Sequence, residues 1–279
     1  MTVLLQISDP HFGTERAEVV AALQRLVQQQ RPDILLLSGD ITQRATRPQF
    51  NAARAFVDGL DVRTVLALPG NHDIPLFNPV ARLLRPYANY RRAFGTALEN
   101  EFENEDVLLL TLNTTRWYRH IDGELSDRQI DRVAARLRRS SSARWRIVVT
   151  HQPLATPSAE EAHDLLHGHE KAVRCWGEAG ADVIMGGHIH LPYVLAMHQR
   201  QPMLPSPLWV VQAGTALSDR VRAGAPNSVN LLRIDGAATA ARQLQVERWD
   251  YDASRHCFEC VDSDDLHTTC EPSATVPPA

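Results

Sequence analysis

Val3-Leu4-Leu5-Gln6-Ile7 runs without a break into Ser8-Asp9-Pro10-His11. A short apolar run ending in polar residues reads as a strand buried on both faces, and this one delivers a carboxylate and an imidazole at its carboxyl end. The device recurs. Ile34–Leu37 leads into Ser38-Gly39-Asp40, and Thr64–Leu68 into Pro69-Gly70-Asn71-His72-Asp73. Ile147–Thr150 leads into His151, and Val183–Met185 into Gly186-Gly187-His188-Ile189-His190. Amphipathic stretches with apolar residues three to four apart lie among the strands, at Glu18–Gln30, Pro48–Val57, Asp127–Arg138 and Glu160–Trp176. Strands alternating with helices predict an α/β fold, and in such sheets ligands sit outside the carboxyl ends of the strands. The five loops are therefore expected to converge.

A further strand is expected at Val107–Leu112. Beyond Met185 the pattern turns to strands without helices, at Tyr193–Met197, Leu208–Gln212, Val229–Ile234 and Gln243–Trp249. These can form a second sheet on the first, which predicts one unit over residues 1–250. Residues 251–279 read as a C-terminal extension, partly disordered, whose Ser/Pro/Ala-containing end Ser273–Ala279 is expected to fray.

The chain has 279 residues, of which 44% are hydrophobic and 22% charged, so it can build a sizeable core and is not a disordered polymer. A formal net charge of −4 argues against a dedicated binder of nucleic-acid polymers, whose footprint is a basic excess. Lys171 is the single lysine among 29 basic residues, a bias read here as compositional because the arginines are scattered. The run Val3–Ile7 is too short for a membrane span or a signal segment, and four cysteines do not suggest the disulfide framework of a secreted protein. The expected compartment is the cytoplasm, with no membrane partner.

Asp9, Asp40, Asn71, His11, His151, His188 and His190 offer oxygen and imidazole donors and no thiolate, a set suited to first-row divalent or trivalent ions. Seven donors exceed one tetrahedral ion and suit two, particularly if a carboxylate bridges. Gly39, Gly70 and Gly187 stand beside the donors, where a chain leaving a strand must turn sharply.

Asp9-x-His11, Gly39-Asp40, Gly70-Asn71-His72-Asp73, His151 and Gly187-His188-x-His190, in that order, resemble the signature blocks of the calcineurin-like metallophosphoesterase superfamily. The resemblance spans Val3 to about Gly214. It implies two mixed β-sheets packed as a sandwich and flanked by helices, in four layers. It also implies a first ion held by Asp9, His11, Asp40 and His190 and a second by Asp40, Asn71, His151 and His188. The ions would be Mn, Fe, Zn or a mixed pair. His72 would face the substrate, with Asp73 orienting its ring. A hydroxide bridging the ions would attack phosphorus.

The layout is most similar to class III cyclic-nucleotide phosphodiesterases and their bacterial relatives. The implied substrate is a small phosphodiester, with 3',5'-cyclic nucleotides, glycerophosphodiesters, nucleotide pyrophosphates and phosphomonoesters as candidates, and a homodimer is admitted. Asn113, Gly123-Glu124-Leu125 and Gln129 add branch-like features. His151 is followed by Gln152-Pro153, where many of those phosphodiesterases carry a second histidine. A non-catalytic scaffold of the same fold would be expected to have lost part of this residue set.

Weaker candidates surround these blocks. Gln43 and Arg44 could face the phosphate. Arg82, Arg85, Tyr87, Tyr90, Arg91 and Arg92 read as a helix with an exposed basic face or as a rim, and Trp117-Tyr118-Arg119-His120 as a substrate wall. His163, His167 and His169 read as an exposed histidine-rich segment. Cys257-x-x-Cys260 and His267-x-x-Cys270 have spacings a structural zinc could use, although Asp262, Asp264 and Asp265 stand between them.

Overall fold

The computed structural model describes residues 1–222, 224–236 and 242–268. The strands are β1 (Thr2–Ile7), β2 (Ile34–Ser38), β3 (Thr64–Leu68), β4 (Glu101–Glu103), β5 (Val107–Thr111), β6 (Trp145–Val149), β7 (Val183–Gly186), β8 (Tyr193–Ala196), β9 (Trp209–Gln212), β10 (Ser228–Asp235), β11 (Gln243–Asp252) and β12 (Cys257–Leu266). The helices are α1 (Ala17–Gln30), α2 (Arg47–Gly59), α3 (Pro79–Leu84), α4 (Ala88–Phe94), α5 (Asp127–Arg139), α6 (His169–Glu178) and α7 (Met197–Arg200). One six-stranded sheet has the order β12, β11, β10, β1, β2, β3, the other β4, β5, β6, β7, β9, β8. Both are mixed. β1, β2 and β3 run parallel, as do β5, β6, β7 and β9, and β10 joins β1 antiparallel.

The unbroken apolar runs have a simple cause: successive side chains of a strand point to opposite faces, and here both faces are covered. In β1, Val3, Leu5 and Ile7 pack with α1 and α2, while Leu4 joins the layer between the sheets. In β6, Ile147 and Val149 face the other sheet and Val148 faces α5 and α6. The result is helices, sheet, sheet, helices, the four-layer α/β sandwich that the resemblance implies, but the later strands do not make a sheet of their own: β8 and β9 join β4–β7, and β10–β12 join β1–β3. Thr46 caps α2 with Pro48 in its first turn, and Ser126 caps α5 in a reciprocal pair with Gln129.

Other expectations are corrected as well. Residues 160–166 are not helical beyond a single 3₁₀ turn at Ala162–Asp164, and α6 starts only at His169. The strand-like chain at 123–125 captures this segment instead, through Leu125 N–H to His167 O at 3.0 Å and His167 N–H to Gly123 O at 3.1 Å, and Gly168 turns the chain at φ +87°. The second half contains the short helix α7. The chain after residue 250 continues the first sheet, where β12 pairs with β11 along its length. Cys257 and Cys260 are three apart on that strand and so face opposite sides, which removes them as a zinc pair, while Cys270 and the Ser273–Ala279 end lie outside the described residues. Among the described residues no helix is long and apolar enough to cross a membrane.

A polar brace crosses the otherwise apolar layer beneath the loops. Gln6, fully buried, donates to Ser38 Oγ at 3.0 Å and to Gly186 O at 2.9 Å, and accepts from Asn230 Nδ2 at 3.0 Å. It ties together the ends of β1, β2 and β7, which are the three strands that launch Asp9, Asp40 and His188. Gln6→Ala leaves Ser38 Oγ without its partner and removes one of two bonds at Gly186 O and at Asn230 Nδ2, and is expected to lower stability by about 1–3 kcal/mol, read as a reduced urea midpoint at unchanged slope.

Candidate metal centre

The loops leaving β1, β2, β3, β6 and β7 meet at one end of the sandwich, and backbone hydrogen bonds set them in register. Asp9 N–H donates to Gly39 O, His11 N–H to Asp40 O and Gly187 N–H to His151 O. Asp9, His11, Asp40 and His151 are buried, and Asn71, His72, His188 and His190 border solvent. Five of these residues, Asp9, His11, Asp40, His188 and His190, have φ between 44° and 75°, among nine non-glycine residues with positive φ in the described chain. Left-handed backbone is costly for residues with a Cβ and concentrates where function over-determines it.

Two groups of donors result, Asp9 with His11 and His190, and Asp40 with His151 and His188. His11 Nε2 and His190 Nε2 stand 3.1 Å apart, and His190 Nε2 is 3.3 Å from Asp9 Oδ1. His151 Nε2 is 3.3 Å from Asp40 Oδ1 and 3.2 Å from Asn71 Oδ1. Ligands about 2.0–2.2 Å from a common ion are separated by about 3.0–3.5 Å, so these spacings are those of coordination edges. Asp9 Oδ1 and His188 Nδ1 are buried with no hydrogen-bond partner among the described residues, as expected of atoms reserved for an ion. The residues present therefore fit two metal ions.

Two of the rings are fixed from behind. His151 Nδ1 lies 2.9 Å from Ser38 O and His190 Nδ1 2.6 Å from Arg220 O, so in both cases Nδ1 carries a hydrogen and Nε2 is the atom turned to the donor group. Burial pushes His11 down to about 3 and His188 down to about 4, keeping their lone pairs free. Burial also disfavours charge on His151, but the Asp40 carboxylate outweighs it and raises that ring to about 9. Burial works against ionised Asp9 and Asp40, yet His190 and His151 hold them below the usual carboxylate range.

His72 Nδ1 lies 3.0 Å from Gln43 O, which makes Gln43 and not Asp73 the group that orients this ring. Asp73 has another task. Its oxygens accept from the N–H groups of Ile41, Thr42 and Gly70 and from Thr42 Oγ1, at 2.8–3.0 Å, and so clamp the chain on both sides of Asp40. Burial and then the Asp40 charge push Asp73 up to about 7 despite those donors.

A cavity of about 820 Å³ opens above the two groups, walled by Asn71, His72, Glu161, Asp164, Arg220 and Arg222 among others. Gln43, Arg44, His120 and His163 also line it, whereas Trp117 and Tyr118 are exposed and lie outside its lining. Arg82 instead binds the carbonyls of Trp117 and Pro75, while Arg85, just after α3, and Arg91 and Arg92 of α4 are exposed. His167 pairs with Asp122 and His169 with the carbonyl of Leu166. Asn113 and Gln129 bond to each other and to Tyr87 and Glu99, away from the cavity. Arg220, Arg222, Glu161 and Asp164 went unnoticed in the sequence. The two arginines follow β9, so the strand-end rule applied to a sixth strand finds them.

Residues 2–192 match the family described as calcineurin-like phosphoesterase. Curated protein sequences give no match to the chain. Among solved structures the chain is similar to a purple acid phosphatase from yellow lupin (Lupinus luteus) seeds, with TM-score 0.71 and 12% identity over 99% of this chain. It spans 57% of that phosphatase's length. A dimetal phosphatase from Danio rerio gives TM-score 0.66 and 13% identity over 96% of this chain and 99% of the other. Vacuolar protein sorting 29 from Cryptosporidium parvum gives TM-score 0.52 and 13% identity over 96% and 98%. At these identities the likeness is one of fold, and chemistry has to be argued from the site.

Two outcomes follow from this geometry. A methyl group on Gly187 would collide with Ser8 Oγ and Asp9 Oδ2, so Gly187→Ala is expected to lose at least half of its bound metal, by mass spectrometry, with its circular dichroism unchanged. Chelation of the purified protein is expected to lower Tm by about 5–10 °C, reversibly, since an ion at a hundredfold excess over its Kd stabilises by about 2.7 kcal/mol.

Proposed function

Because the chain belongs to the calcineurin-like phosphoesterase family, we propose that it is a dinuclear metal-dependent hydrolase of small phosphodiesters, with 3',5'-cyclic nucleotides as first candidates. The observation that carries this reading is the placement of Asp40. Its Oδ2 lies 3.8 Å from His11 Nε2 and its Oδ1 3.3 Å from His151 Nε2, so one carboxylate addresses both groups of donors. In this reading Asp9, His11, Asp40 and His190 hold one ion, and Asp40, Asn71, His151 and His188 the other. Mn, Fe, Zn or a mixed pair suits such donors. Two ions so bound supply Lewis acidity and make water nucleophilic near neutral pH.

The chain's own residues do the rest. With its Nδ1–H directed at the Gln43 carbonyl, His72 turns Nε2 into the cavity, where a proton taken from solvent could pass to the leaving oxygen. Asp73 keeps Asp40 in place through the clamp on residues 41, 42 and 70. The cavity suits a small ester, and its mixed lining, with Glu161 and Asp164 beside the arginines, lacks the basic surface a polymer backbone needs.

A panel of cyclic AMP, a glycerophosphodiester, an aryl phosphodiester and an aryl phosphomonoester, with added Mn, tests the reading. Diester turnover at least tenfold above the monoester, abolished in Asp40→Ala, is expected. Faster monoester turnover would replace diester by monoester, and no turnover with any first-row metal would end the hydrolase reading. His72→Ala is expected to retain metal and to slow turnover about 100-fold, more for poor leaving groups than for good ones. An equal loss for both would remove His72 as proton donor.

A further inference from the structure

Arg220 is placed by the loop that follows β9, and that loop is anchored to the centre. Arg220 N–H donates to Ser218 Oγ at 3.2 Å, Ser218 Oγ meets Thr215 Oγ1 at 2.7 Å, and Thr215 Oγ1 donates to the carbonyl of Asp9 at 2.7 Å. The side chain then reaches back across the cavity mouth. Its Nη1 lies 3.2 Å from His72 Nε2, 3.2 Å from Gln43 Oε1 and 3.5 Å from His11 Nε2.

Of these only the Gln43 amide oxygen is an acceptor in every protonation state, and among the described residues Arg220 has no carboxylate partner. The other cavity arginines are engaged. Arg222 is paired with Glu161 at 2.9 Å, and the Arg44 guanidinium lies over the Phe77 ring at 5.1 Å. A guanidinium is a permanent cation with a fork of donors matched to two oxygens of one phosphate. Here such a fork is placed by a ring and an amide beside two groups of metal donors, and among the described residues no carboxylate pairs with it. It is free to meet an anion in the cavity.

We propose that Arg220 grips the non-bridging oxygens of the phosphoryl group, with His72 and Gln43 aiming its guanidinium. The inference rests on the proposed phosphoester hydrolysis and adds to it the residue that holds the anion. The contact that supports the metal centre is made by the Arg220 backbone carbonyl, to His190 Nδ1, and a side-chain substitution leaves it in place.

The test uses metal-loaded wild type, Arg220→Ala and Arg220→Lys. Measured are metal content, the Kd for inorganic phosphate by calorimetry, and kcat and KM for an aryl phosphodiester. Expected for Arg220→Ala are unchanged metal content, phosphate binding weakened at least tenfold and kcat/KM lowered about 100-fold. Arg220→Lys is expected to recover only part, because an ammonium lacks the fork, and added guanidinium should restore Arg220→Ala without affecting wild type. Wild-type phosphate affinity and turnover in Arg220→Ala, or loss of metal along with activity, would overturn the proposal. Arg220-dependent phosphate binding in a protein that hydrolyses no ester would uphold the grip and overturn the proposed reaction.

Discussion

Two carboxylates buried close together, Asp9 and Asp40, set the terms for the rest of the molecule. Burying one charge is expensive, and burying two of the same sign is worse. The protein offsets this with imidazoles on both sides and with backbone donors, His188 N–H to Asp9 and His72 N–H to Asp40. Those donors belong to the loops that carry the other site residues. The charges therefore draw in the loops, and the loops accept left-handed backbone at five positions to comply. Metal ions are the natural completion of such an arrangement, because cations seated between the donors balance both carboxylates.

Much of this was legible in the sequence because both informative signals are local. An apolar run followed by a short polar block marks a strand and what it delivers, and parallel topology makes such deliveries converge. Val3–Ile7 with Asp9, and Val183–Met185 with His188 and His190, needed no knowledge of packing. The resemblance to a family then supplied the grouping into two ion sites, which spacing alone could not give.

What was missed depends on partners far along the chain. The stretch 160–166 has helical periodicity, yet Gly123 and Leu125 hold the chain at His167 in a strand-like bridge. Asp73 sits next to His72 in sequence, and proximity suggested that one oriented the other. The oxygens of Asp73 are instead occupied by the N–H of Gly70 and by Ile41 and Thr42, about thirty residues away. Arg220 gave no motif of its own because its setting is made by Gln43, His72 and His11. The strand β12 escaped notice because its outward residues are acidic, and a helix-free charged segment reads as tail until a neighbouring strand pairs with it.

That acidic strand has a consequence for how copies of the protein meet. β12 forms the rim of its sheet, where free backbone groups invite a strand from another molecule. Glu259, Asp262, Asp264 and Asp265 stand along it within seven residues. A second copy approaching rim to rim would set carboxylate against carboxylate in both directions. Mutual repulsion works against runaway stacking along that edge.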